Sequence, residues 1–206
     1  MIECARDGRL WVLTLNRPEK ANSLTKAMLE DLAGYVEAAH GDAHALILTG
    51  AGKVFSAGMD LDAAKAGLAV DPVWERLSGA IAAFDGLSIA ALNGTLAGGA
   101  MGMALACDLR IAVPEAKVFY PVMQRGFLPQ PSDPGRLVAL VGPAAAKLIL
   151  MGGQKVVAED ALRMGLVDAV VARDALLDHA RGLAEDVLAA DRAHVTAIKA
   201  MIDAAS

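Results

Sequence analysis

Apolar residues fill 10–15 ("LWVLTL") and recur through 2–6, with Asp7 and Gly8 between the two segments. This predicts a β-hairpin closed by a type I′ turn at Asp7-Gly8. Downstream, Met28, Leu29, Leu32 and Val36 fall on one face at helical spacing, so a helix capped by Thr25 is expected to run to about His40. "ALILTG" (45–50) is a short continuous apolar run closed by glycine, the signature of a strand buried on both faces of a parallel sheet. A loop, a helix near 71–85, a second apolar run at 89–92, a glycine loop, a helix and a third strand at 109–113 repeat that theme. The recurrence points to a spiral of ββα turns. Helices are expected at 135–151, 158–164, 174–190 and 194–204, with "GLVDAVV" as a short strand among them.

Composition narrows the class. The chain has 206 residues, enough for one domain with a sizeable core, and nothing in it reads as a linker. It is 55% hydrophobic but only 4% aromatic, which favours a helix-rich α/β interior over an aromatic-rich β-sandwich. A net charge of −5 with no basic stripe excludes an electrostatic footprint for nucleic acid, and no apolar run is long enough to span a membrane. Cys4 and Cys107 are too few and too far apart for a disulfide framework. The opening "MIECARDGRLWVL" reads as neither signal nor transit peptide, so a soluble cytoplasmic protein is expected.

Two loops carry candidate chemistry. "FSAGMDL" (55–61) follows the first buried strand, and "AGGAMG" (97–102) follows the second. Loops at the carboxyl ends of neighbouring parallel strands lie where open α/β folds bind ligands. One backbone N–H from each, aimed at a common point, makes an oxyanion hole for the charge that develops on a carbonyl oxygen. Glycine there lets a ligand approach the backbone.

These loops, together with "LNRPEKANSL" (15–24), "LTGAGKVFSAGMDL" (48–61), "IAALNGTLAGGAMGMALACDLRIA" (89–112) and "AEDALRMGLVDAVV" (158–171), closely resemble the crotonase superfamily, the enoyl-CoA hydratase/isomerase family. The resemblance runs over nearly the whole chain. It implies an α/β fold: a crotonase-like ββα spiral core over about 1–150 with C-terminal helices over about 151–206, the latter shorter than is usual. It also implies a homotrimer or dimer of trimers, and an acyl-CoA thioester as ligand with no separate cofactor and no metal. By motif position, Ala57 and Gly99 would supply the oxyanion N–H groups. Gly58, Met59, Asp60, Leu61, Gly98 and Val122 would line the substrate site, and Lys20 and Ala21, with Arg17, would meet the CoA nucleotide. Arg17 and Lys20 read equally well as solvated surface cations.

The same resemblance exposes a gap. Hydratases of this family carry two glutamates that activate water, and isomerases generally keep one. The expected positions hold Gly102 and Val122, neither of which can transfer a proton. Asp133 and Tyr120 are the candidate replacements, with Gln124 and Glu75 behind them, although Asp133 or Ser132 reads first as a helix cap and Glu75 first as a solvated face, and Tyr120 also reads as core. The four histidines lie away from both loops. Three readings follow: a hydratase/isomerase-family enzyme with doubtful hydratase activity, a relative with another reaction (isomerisation, thioester hydrolysis or C–C cleavage), or a silent acyl-CoA binder. Trp74, in "GLAVDPVWERL" (67–77), fits a greasy acyl pocket or the core.

Overall fold

The computed structural model describes residues 1–205. Strands β1 (Ile2–Asp7) and β2 (Leu10–Leu15) form the expected antiparallel hairpin. The turn falls one residue later than expected, on Gly8-Arg9, and only Gly8 has positive φ (+58°). That pattern is type II′ rather than I′, since I′ needs positive φ at both central residues. β2 then opens a parallel run with β3 (Ala45–Gly50), β5 (Leu87–Leu92), β7 (Leu109–Ala112) and β10 (Ala169–Val170), giving the sheet order β1-β2-β3-β5-β7-β10. A second sheet stacks β4 (Val54–Ser56), β6 (Thr95–Ala97) and β8 (Lys117–Phe119) in parallel and closes with antiparallel β9 (Val156–Val157).

The chain crosses from the first sheet to the second three times, β3 to β4, β5 to β6 and β7 to β8, and helical segments follow each crossing. This is the ββα spiral read from the sequence. α1 (Lys26–Ala39) is capped by Thr25, whose hydroxyl accepts from the Met28 N–H, and it buries Met28, Leu29, Leu32 and Val36 as their spacing requires. It packs on α3 (Val73–Ala82), which follows the short α2 (Leu61–Lys65). α4 (Met101–Leu105) is buried throughout because it follows the glycine loop into the core, and α5 (Val122–Arg125) is a single turn.

The C-terminal helices differ in detail from the periodicity. α6 spans Asp133–Leu150 but breaks at Gly142, where φ is +74° before Pro143, a residue that cannot donate to the preceding turn. α7 covers Ala158–Arg163. The helix expected over 174–190 is divided into α8 (Leu176–Leu183) and α9 (Glu185–Ala189). α10 (Arg192–Asp203) buries no residue and is held by polar contacts: Arg192 to Asp85 and the Ala43 carbonyl, and Lys199 to Asp108 and the Gly86 carbonyl. No described helix is long and apolar enough to cross a membrane.

Candidate active site

The residue 57–60 loop is built by the segment beside it. Ala21 and Asn22 both take positive φ (+49° and +52°), a rare conformation for residues with a side chain. Their neighbours hold them there. The fully buried Asn22 side chain accepts from the Arg17 N–H at 2.8 Å and donates to the Ala51 and Val54 carbonyls at 2.9 and 2.7 Å. The Asn22 carbonyl accepts from Ser56 Oγ, which in turn accepts from the Gly58 N–H at 3.1 Å. Asp60 caps α2 by accepting from the Asp62 and Ala63 N–H groups and forms an ion pair with Arg17 at 2.7 Å. The Arg17 hydrogen bond, aided by those backbone N–H groups, holds the Asp60 carboxyl down to about 2, so it is a fixed anion rather than a proton carrier.

This scaffold decides which N–H group is free. Ala57 donates to the Ala21 carbonyl at 2.9 Å, Gly58 to Ser56 Oγ, and Asp60 to the Leu24 carbonyl at 2.9 Å. The expectation that Ala57 would offer its N–H is therefore corrected: among the described residues, Met59 is the one residue of the loop whose N–H donates to no protein acceptor. Opposite it, Gly98 and Gly99 form the first turn ahead of α4, where N–H groups have no intrahelical acceptor. The two loops touch closely. A Cβ at Gly58 (φ +89°) would lie 2.7 Å from the Ala97 carbonyl oxygen, and one at Gly99 would lie 3.1 Å from the Trp74 ring.

Both loops open on a cavity of about 290 Å³. Ala57, Met59, Leu61, Gly98, Gly99, Tyr120 and Val122 line it, as does Trp74, whose Nε1–H donates to the Leu68 carbonyl at 2.8 Å. Arg125, Phe127, Leu128 and Gln130 also line it, and none of the four carries a sequence signal of its own. Only their place after Pro121 could have signalled them. Gly58, Asp60, Arg17, Lys20 and Ala21 do not face the cavity: the first two brace the loop, Arg17 is spent on Asp60 and Ser23, and Lys20 is exposed. Gln124 is exposed and lies toward Gly153 instead.

Asp133 is not a cap. It is 1% exposed and turns inward from the first turn of α6, where Oδ2 accepts from the Tyr120 hydroxyl at 2.9 Å and Oδ1 has no partner. Ser132, the other expected cap, gives both its N–H and its hydroxyl to Glu75, so Glu75 is not merely a solvated face. The Tyr120 hydroxyl also accepts from the Gln130 N–H at 3.3 Å. A Cβ at Gly102 would come within 2.8 Å of Asp133 Oδ1, so the Asp133 carboxylate fills the space that a side chain at 102 would enter. Burial raises Asp133 to about 6 against the Tyr120 hydrogen bond, and burial with the neighbouring Asp133 charge drives the Tyr120 phenol well above its ordinary value. The dyad reaches the cavity through Tyr120, with Asp133 behind it.

The raised Asp133 value has a stability consequence. Folding favours the protonated carboxyl, so this contribution is complete below about pH 3.8 and is lost as pH rises through about 6. Asp133→Asn removes the titration. The variant's stability relative to the parent is expected to rise by about 2 kcal/mol between pH 4 and pH 8, most of the shift at 1.36 kcal/mol per unit. Urea unfolding of both proteins at the two pH values checks this, and a pH-independent difference would contradict it.

A two-sheet ββα spiral with two glycine-bearing loops lining one largely apolar cavity is the arrangement to be placed, and comparison with known proteins gives the family. The family model for enoyl-CoA hydratase/isomerase matches residues 6–206, and the chain belongs to that family, within the crotonase superfamily. It is 33% identical over 195 residues to a short-chain-enoyl-CoA hydratase of Clostridium acetobutylicum, covering 89% of this chain and 73% of the relative. It is 34% identical over 189 residues to a 2,3-dehydroadipyl-CoA hydratase of Escherichia coli, covering 87% and 72%. Among solved structures, DspI of Pseudomonas aeruginosa superposes with a TM-score of 0.91 at 34% identity, covering 99% of this chain and 86% of that one. An enoyl-CoA hydratase of Mycobacterium tuberculosis gives 0.88 at 33% identity, covering 98% and 88%. The protein is an enzyme of the hydratase/isomerase family acting on acyl-CoA.

Proposed function

We propose that this enzyme binds an acyl-CoA thioester with its carbonyl oxygen between the Met59 and Gly99 N–H groups, and that Tyr120, backed by Asp133, moves the proton that the family's glutamates would otherwise move. The observation that carries the reading is the buried Tyr120–Asp133 pair, set against the space left by Gly102 and opening on the same cavity as the two loops. Two amides aimed at one oxygen stabilise the enolate that forms when the α-proton leaves. A carboxyl near 6 has the poise for proton transfer around neutral pH, and the neutral phenol passes the proton between it and the ligand. Coenzyme A enters as part of the substrate, with no further cofactor, and assembly as a homotrimer or dimer of trimers in the cytoplasm remains part of the reading.

With Gly102 and Val122 in place of glutamates, addition of water to a 2-enoyl thioester lacks its activating base, and the chemistry favoured is enolate formation followed by proton return. Incubation with 2-enoyl, 3-enoyl, 3-oxo and aryl thioesters in labelled water, read by mass spectrometry, tests this. Label is expected in the 3-enoyl or 3-oxo class, with crotonyl-CoA hydration slow or absent. Hydration at the rate of ordinary family hydratases would overturn the reading. Binding without conversion of any ester would favour a silent acyl-CoA binder.

A further inference from the structure

The cavity wall is apolar apart from the loop amides, Tyr120, Gln130 and one ion. Arg125 is the single charged side chain among the described residues that line it. Most other arginines of the chain are committed: Arg17 to Asp60, Arg76 to Glu37, Arg110 to Asp168 and Arg192 to Asp85. Arg125 makes no ion pair and no hydrogen bond among the described residues, and no acid lines the cavity to neutralise it. Gln130, its polar neighbour on the wall, is itself occupied, with Nε2 donating to the Ala69 carbonyl at 3.0 Å. Arg125 is exposed, and its guanidinium, committed to no protein partner at the edge of this apolar lining, offers a planar pair of donors matched to two oxygens of one anion.

Resting on the reading that the cavity holds an acyl thioester, we infer that Arg125 is an anion anchor that selects ligands bearing a second acid group, either a carboxylate at the far end of the acyl chain or a phosphate of the carrier. The anchor sits with Val122 on the single turn of α5 and lines the same cavity as Tyr120 and the two loops, so one ligand would be held at its carbonyl and at its acid.

Calorimetric titration of the full chain with hexanoyl-CoA and adipyl-CoA, and with the same two acyl groups on pantetheine, distinguishes the sources. For an acyl carboxylate, both adipyl esters bind about tenfold tighter or more than their hexanoyl counterparts, and Arg125→Leu erases the difference. For a carrier phosphate, Arg125→Leu weakens both CoA esters alike and spares both pantetheine esters. Unchanged affinities for all four esters in Arg125→Leu, with normal circular dichroism, would overturn the anchor while leaving the thioester reading intact. Failure of the parent protein to bind any of the four would overturn that reading, and the anchor with it.

Discussion

Gly58→Ala is expected to lower turnover of any thioester the enzyme processes by about 10²–10³-fold, the usual cost of losing one oxyanion donor. Two constraints act at this residue. Its φ of +89° disfavours any side chain, and the added methyl would sit 2.7 Å from the Ala97 carbonyl oxygen, in backbone rather than in a side chain able to swing away. Relief requires the 57–60 loop and the Gly98-Gly99 turn to separate. The Met59 and Gly99 N–H groups proposed to share the ligand oxygen would then separate, while the sheets beneath remain paired. Steady-state kinetics with circular dichroism as a control measure this, and parent-like turnover would mean that the two loops do not act together.

The second large effect is on stability. Asn22→Gly keeps the positive φ available but deletes an amide that satisfies the Arg17 N–H and the Ala51 and Val54 carbonyls. The Val54 carbonyl keeps a second donor in Asn93 Nδ2, so the Arg17 N–H and the Ala51 carbonyl are the two part-buried groups left unpaired; at about 1–3 kcal/mol each an overall loss of about 2–4 kcal/mol is expected, with a melting temperature lower by about 10 °C. The chain Asn22–Ser56–Gly58 would loosen with it, so activity should fall at temperatures where the variant is still folded. A loss below about 1 kcal/mol would show that water replaces the amide and that the loop is braced elsewhere.

Much of the fold was legible because burial imposes period. The α1 face, the apolar runs of β3 and β5, and the two glycine-bearing loops each follow from local pattern. The shift of the turn from Asp7-Gly8 to Gly8-Arg9 and the split of the expected 174–190 helix are matters of one or two residues that periodicity does not resolve. The candidate site was legible only as loops. Which amide is free depends on the Ala21 and Leu24 carbonyls accepting from Ala57 and Asp60, each thirty-six positions away, and on the local Ser56 hydroxyl accepting from Gly58. Motif position therefore points to Ala57, whereas Met59 is the unpaired donor. Asp133 and Tyr120 are thirteen residues apart in sequence, and their meeting depends on α6 turning its first residue inward against Gly102. An acid beside a helix start reads as a cap until its burial is known. Arg125 gave no signal because an unpartnered cation is recognised only once its surroundings are seen.

The most direct test of the central claim is exchange of the α-protons of a saturated thioester, butyryl-CoA, in heavy water, followed by mass spectrometry for the parent protein and for Tyr120→Phe. The account predicts deuterium entering the α-position with the parent, and exchange lost in Tyr120→Phe while butyryl-CoA affinity is retained. Exchange that persists unchanged without the Tyr120 hydroxyl, or a parent that binds butyryl-CoA and exchanges nothing, would contradict it.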